Sequence, residues 1–324
     1  MREASRLAIE AQDWVNSAIG SCVLCDTALY IGDVHAAAAW GEEAVTHADS
    51  SADSIQMIIA RATFGGALHA AGMTEKAEKL LADAERRQGD LQPEYPLLQS
   101  GGGYHYCDLL LSLGRAHETR DRALRTLDWV RGWGWVAEIA QATLTLGRAY
   151  LALSYISLAN IAFLEATRNE SLVARSSLDE AVQGLRGAGR FELAPQALLA
   201  RAAFRRAVGD WDGGARDLDE VREIAEPGPM RLYLCDCALE RARLALARRE
   251  AFAPLNGLVE PSPPPPVLPD ATEATRLLDE ARKELDAARK LVAECGYHRR
   301  DGELAELDAV VAGRRRFADL PPRV

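Results

Sequence analysis

The sequence predicts an all-α fold, a solenoid of about six helical hairpins closed by a C-terminal capping helix. Three observations carry this. Gly32, Gly72, Gly114 and Gly209 each end an apolar helical stretch and precede a second one, with gaps of 40, 42 and 95 residues, the last roughly two periods. A forty-odd-residue repeat of helix, turn and helix buries its apolar face only against its neighbours. Aromatic residues are only 6% of the chain and few segments alternate with period two, which argues against a sheet.

The elements follow in order. Residues 1–12 read as the trailing helix of a preceding repeat, because Ala4, Leu7, Ala8 and Ala11 share one helical face. The chain thus begins inside a unit, so that either the open face pairs with something or the chain is part of a longer polypeptide. Six repeats are expected over 13–48, 52–88, 95–130, 133–187, 192–225 and 229–295. The first turns at Gly32-Asp33, the second at Gly72, where Thr74 caps the following helix, and the third at Gly114. The fourth is irregular: its first helix runs without a breaker to about 165, and its second spans about 171–187. The fifth turns at Gly209-Asp210. The sixth is interrupted by a Pro-rich loop at 251–270, whose run Pro263 to Pro266 cannot continue a helix, and resumes at about 271–295. Asp301 then caps a last helix within 301–313.

Composition excludes several classes. A net charge of −10 argues against phosphate-backbone binding, and the run Arg314-Arg315-Arg316 reads as a solvated helix end. The six cysteines are scattered, so small buried apolar residues in a reducing cytoplasm are expected rather than a disulfide framework. Cys22-x-x-Cys25 has no second pair to complete a zinc site, and no metal or cofactor is expected. The longest uncharged run, Ala149 to Leu164, is 16 residues long and holds Ser154, Ser157 and Asn160, which is too short and polar to span a membrane.

Within this frame, Leu146-Gly147-x-x-Tyr150 resembles the first-helix signature of tetratricopeptide repeats (TPR). Ala37, Ala77 and Ala181 stand where that family keeps a small residue for close helix crossing. The resemblance implies a right-handed α-solenoid of TPR-like hairpins. The stretches Gln92-Pro-Glu-Tyr-Pro-Leu-Leu98, Tyr106-Cys-Asp-Leu-Leu-Leu111, Leu199-Leu-Ala-Arg-Ala-Ala203 and Gly296-Tyr-His-Arg-Arg-Asp301 resemble the C-terminal repeat region of large bacterial proteins of the STAND or NACHT type. There, repeats follow a nucleotide-binding module and an effector domain, which implies a sensing arm. No G-x-x-x-x-G-K-[ST] phosphate loop occurs in this sequence.

The family's groove-facing positions, carried over hairpin by hairpin, give Asp26, His69, Tyr104, Asp108, Gln141, Arg148, Gln196 and Arg206 as a ligand-binding face. A plain solvated face is the competing reading. The recurring pairs Cys25-Asp26, Cys107-Asp108 and Cys235-Asp236 suggest a buried Cys beside a groove-facing Asp, since neighbours on a helix diverge by about 100°. Those carboxylates would bind basic side chains of a partner, pair with Arg148 and Arg206, or serve internal bridges and caps. Two sets of residues are either core or an interaction edge: Trp129, Trp133 and Trp135 at the turn between units three and four, and Ile156, Ile161, Phe163 and Leu164 in the uncharged stretch. No Ser-His-Asp or Cys-His set is identifiable by spacing, although a spatial triad is invisible in sequence.

These readings converge on a non-enzymatic scaffold that binds a protein or peptide, the sensing arm of a STAND-type signalling or defence protein. An N-terminal nucleotide-binding or effector module would lie in the same polypeptide or complex. A standalone adaptor and a small-molecule-binding regulatory domain are the alternatives. No nucleic-acid or membrane partner is expected, and oligomerisation is possible.

Overall fold

The computed structural model describes residues 12–158 and 164–321. The expected leading helix, apart from Gln12, and the candidates Ile161 and Phe163 lie outside the described residues. Among those described there are thirteen α-helices and no strand. In chain order the helices are α1 Trp14–Ile31, α2 Val34–Ser51, α3 Ser54–Ala70, α4 Thr74–Leu91, α5 Ser100–Ser112, α6 Ala116–Trp133, α7 Val136–Leu158, α8 Leu164–Gly187, α9 Ala194–Val208, α10 Trp211–Ala225, α11 Arg231–Arg249, α12 Ala271–Cys295 and α13 Asp301–Val311. Single 3₁₀ turns follow at His298–Arg300 and Phe317–Asp319.

The chain divides into two compact units. One contains the chain up to Leu113 together with Pro229–Leu232 and Val292–Arg300, and the other contains Gly114–Gly228, Tyr233–Leu291 and the chain from Asp301 onward. In the first unit α1 packs on α2, α2 on α3, α3 on α4 and α4 on α5, while the first helices of successive hairpins also touch, α1 with α3 and α3 with α5. In the second unit α6 packs on α7, α7 on α8, α8 on α9 and α9 on α10, with α7 also meeting α9. Helices α1 to α10 thus pack mainly on neighbours in sequence, as a repeat array requires, while the 3₁₀ turn of His298–Arg300 meets α3 from far along the chain.

The glycine turns form where the sequence places them. Gly32 and Gly209 sit in the left-handed region at φ 80° and 86°, where a side chain would be strained. The following aspartates cap the next helix: Asp33 accepts the Ala36 N–H at 2.9 Å and Asp210 accepts that of Gly213 at 3.0 Å. Asp53 does the same for Gln56 at 2.9 Å.

Four boundaries differ from the sequence expectation. Thr74 is not a cap: it is the first helical residue of α4, Met73 precedes it, and no side chain caps that end. The helix expected to end near 130 continues to Trp133, so Gly132 is helical and Gly134 makes the turn at φ 71°. The uncharged helix is described only to Leu158, and α8 is already formed at Leu164 rather than 171. Asp301 is the first residue of α13 rather than its cap, and the 3₁₀ turn of His298–Arg300 leads directly into it.

Close crossings depend on small residues. Ala37, Ala77 and Ala181 are fully buried. A Cβ on Gly147 would lie 2.8 Å from the Leu178 side chain and 3.2 Å from its backbone nitrogen, so α7 and α8 approach as closely as the tetratricopeptide-like signature demands. In the first unit, Ile58, Ala62, Leu68, Leu81, Leu98, Leu109 and Leu110 form one core cluster.

An arginine bridge recurs that the sequence reading missed. Arg61 on α3 reaches Asp49 on α2 and Asp83 on α4, both at 2.9 Å. Arg201 on α9 reaches Asp179 on α8 at 3.2 Å and Asp217 on α10 at 2.7 Å. In both units a first-helix arginine ties its own hairpin to the second helix of the preceding one.

All six cysteines are free and buried. Burial pushes the Cys22 thiol up to about 12, so it is an inert apolar filler rather than a nucleophile. Helix α1 corrects one expectation: by length and mean hydropathy it is apolar enough to cross a membrane. The sequence reading overlooked it because Asp26 breaks its uncharged run. A third of its window is buried, where it packs on α2 and α3.

Candidate functional site

The first unit gathers its polar first-helix residues on α1, α3 and α5. His69 is buried near the end of α3, and Asp108 is buried on α5. His69 Nδ1 lies 3.5 Å from Asp108 Oδ2, and its Nε2 lies 3.2 Å from the Ser112 hydroxyl. Arg299, from the 3₁₀ turn, donates to the same Asp108 oxygen at 2.5 Å. Asp26 on α1 is half-buried: burial raises its pKa, opposed by the nearby His105. Tyr104, half-buried on α5, packs edge-on to His105 with ring centroids 6.3 Å apart.

Ser112, His69 and Asp108 thus stand in the order of a hydrolase triad, which spacing could not reveal. The electrostatics oppose that chemistry. Burial, with Arg299 next in weight, drives the His69 pKa down to about 3 although Asp108 pulls the other way. A general base for work near neutral pH needs a pKa close to the working pH. The Asp108 carboxylate is spent on the Arg299 guanidinium, and the Ser112 hydroxyl donates to the Leu109 carbonyl at 2.7 Å. The cluster is a hydrogen-bonded clamp around a guanidinium.

The second unit holds a different network. Arg206 on α9, buried, donates through Nε to Glu240 on α11 at 2.6 Å. Glu240 also meets Arg243 at 3.5 Å, and Arg243 pairs with Glu303 on α13. Burial opposes the Arg206 charge, but Glu240 and Tyr155 outweigh it and hold the guanidinium protonated. Its other neighbour is the Phe317 ring, whose centroid lies 5.8 Å away. Gln196 donates to the Tyr233 hydroxyl at 2.7 Å.

The expected face is therefore partly internal. Asp26, Tyr104, Gln141 and Gln196 keep part of their surface in solvent, whereas His69, Asp108, Arg148 and Arg206 are buried. Asp108 pairs with Arg299, the internal bridge among the alternatives, and Arg206 pairs with Glu240. Cys25, Cys107 and Cys235 are all buried as the recurring pair implies, but Asp108 is buried as well instead of facing a groove, while Asp26 and Asp236 are half-buried. Arg299, Ser112 and His105 were missed as site residues. Arg299 lies 191 residues from Asp108, and nothing local in His298-Arg299-Arg300-Asp301 announces its partner.

Of the tryptophans, Trp133 packs on the cluster of Ala123, Leu127, Val130 and Leu146. Trp129 is half-buried beneath the Arg125 guanidinium, 5.6 Å from its ring. Trp135, against Trp133 at 4.9 Å, is 52% exposed. Ile156 and Leu164 are also exposed, so the ends of the uncharged stretch are not enclosed on all sides.

Together these features define an α-helical repeat protein of tetratricopeptide-like fold, whose first helices carry the polar residues. Among solved structures, a Rap protein complexed with competence and sporulation factor matches with a TM-score of 0.51 at 14% sequence identity, over 87% of this chain and 72% of that one. No family model matches the sequence, and no curated protein matches it.

Proposed function

We propose that this chain is a non-enzymatic protein- or peptide-recognition scaffold whose ligand contacts the first-helix face of α1, α3 and α5. One observation carries the reading. Charged and aromatic residues from different hairpins, Asp26 on α1 and Tyr104 and His105 on α5, stay half-exposed there beside the buried Asp108–His69–Arg299 cluster, whose histidine is kept neutral by burial and by Arg299. Such a face recognises side chains rather than transforms them. That the similar Rap structure was solved with a bound factor supports a ligand-holding role for the fold.

The quoted stretches that resemble STAND-type repeat regions support a finer role, the cytoplasmic sensing arm of a bacterial signalling or defence protein. Ligand binding there would bias a two-state equilibrium in an attached nucleotide-binding module. Trp135 and Ile156 are its partner-facing apolar residues.

The test is affinity capture from source cells, with and without phage challenge, comparing the native chain with the Asp26→Ala/Tyr104→Ala variant. Both substitutions fall on half-buried positions, so the fold survives and circular dichroism checks it. A protein retained by the native chain and lost by the variant supports the face. Equal retention by both removes it.

A further inference from the structure

We propose that a cleft beside the C-terminal end of α13 binds an acidic peptide segment, at a site separate from the first-helix face. The cleft has a volume of about 530 Å³, within the range of ligand sites. Leu278 and Val311 supply apolar lining, and Arg249, Arg314, Arg315 and Arg316 surround it together with two carboxylates, Glu250 and Asp319.

Both carboxylates are already engaged. Glu250 accepts the Phe317 and Ala318 backbone N–H groups at 2.8 and 3.3 Å. Asp319 accepts a forked pair of bonds from Arg316 at 3.2 and 2.7 Å. The arginines are not balanced in return. Arg315 donates to the Asp319 backbone carbonyl at 2.5 Å, and its charge joins that of Arg316 in holding the Asp319 carboxyl below its ordinary pKa. Among the described residues, the Arg249 and Arg314 side chains have neither an ion pair nor a hydrogen bond.

The Ala309 and Val310 carbonyls, which would otherwise point at the cations, are taken by the N–H groups of Arg314, Arg315 and Gly313 at 2.9 to 3.2 Å. Four guanidiniums against two carboxylates, with Arg249 and Arg314 paired to neither, make this a local inversion of sign on a chain whose net charge is −10. Guanidinium forks match carboxylates in pairs. The rim of Arg314, Arg315 and Arg316 is exposed, so the cleft is open along one side and admits an extended chain. Apolar lining beside cations selects a segment that alternates acidic and aliphatic side chains.

The experiment titrates the full chain with a fluorescein-labelled twelve-residue peptide alternating Glu and Leu, and with its Gln-for-Glu counterpart, by fluorescence anisotropy. Saturable binding of the Glu peptide is expected, at least tenfold tighter than the Gln peptide. It should weaken as salt rises from about 50 to about 300 mM, since exposed charges are screened at such ionic strengths. Arg249→Ala/Arg314→Ala should weaken it at least tenfold with an unchanged melting temperature, because neither side chain has an internal partner. Arg282→Ala, whose guanidinium is paired with Asp279, should leave it unchanged. Equal affinity for both peptides, an unaffected double variant, or tighter binding to a DNA duplex than to the Glu peptide would each overturn the proposal. Asp26→Ala/Tyr104→Ala leaves this binding intact, so failure here is distinguishable from failure of the first-helix face.

Discussion

The Arg299–Asp108–His69 contact shows how one buried charge sets the behaviour of its neighbours. Asp108 is buried, and a carboxylate there needs a cation to compensate its lost hydration. Arg299 supplies it, and burial of the imidazole, with the Arg299 charge next in weight, makes protonation of His69 costly. His69 is thus neutral in the folded chain, with a pKa of about 3, whereas its ordinary value is 6.5. Below that ordinary value the unfolded chain binds a proton that the folded chain refuses. The stability associated with His69 is therefore fully present above about pH 6.5 and is lost as pH falls towards 3, at up to about 1.4 kcal/mol per pH unit. Urea midpoints of the native chain and His69→Gln at pH 7, 5 and 4 check this: the native advantage should shrink with acidity, and a constant gap would contradict it. Arg299→Ala strips the cation from a buried carboxylate and should cost about 3–5 kcal/mol, with partial recovery when Asp108→Asn is added. The sequence marked His69 and Asp108 through their helical positions. It could not mark Arg299, because a long-range ion pair leaves no periodicity.

Glycines at the element scale divide by what a methyl group would meet. At Gly147 an added Cβ would press on Leu178, with its backbone nitrogen only 3.2 Å away, so neither helix can give way cheaply. Gly132 lies inside helix α6 with nothing within 4 Å of such a Cβ. Gly147→Ala should therefore destabilise by about 1–3 kcal/mol through overpacking, and Gly132→Ala should stabilise by about 0.5–1 kcal/mol through reduced unfolded-state entropy. Thermal and urea unfolding of the two variants decide it; the same sign for both would refute the packing account. Hairpins were legible because the glycine turns and helical periods are local. Neither cap read from the sequence, Thr74 or Asp301, holds; the caps that form, Asp33, Asp53 and Asp210, were read only as turn or starting residues. Thr74 misled because a hydroxyl at a helix start satisfies an N–H only from the position before the first turn, and the chain places Met73 there.

At the scale of the whole molecule, contacts between sequence-adjacent helices make the stability of α1 to α10 largely a sum over neighbours. Leu81→Ala would open a cavity in the cluster shared by α3, α4 and α5, at a cost of about 2–5 kcal/mol. Hydrogen exchange should show faster amides in the helices that touch this cluster, and α9 and α10 unaltered under native conditions. A uniform loss of protection across the chain would refute neighbour-limited stability. The sequence by itself determined the helical repeat, its glycine turns, the buried cysteines and the proline break between α11 and α12, because each is written in local spacing and backbone preference. Only the tertiary structure decided which polar residues are internal. Asp108 met Arg299, Arg206 met Glu240, and Arg249 and Arg314 were left without a counter-charge. Charge pairing depends on distance in space, and helices far apart in sequence come together only once the apolar stripes have packed.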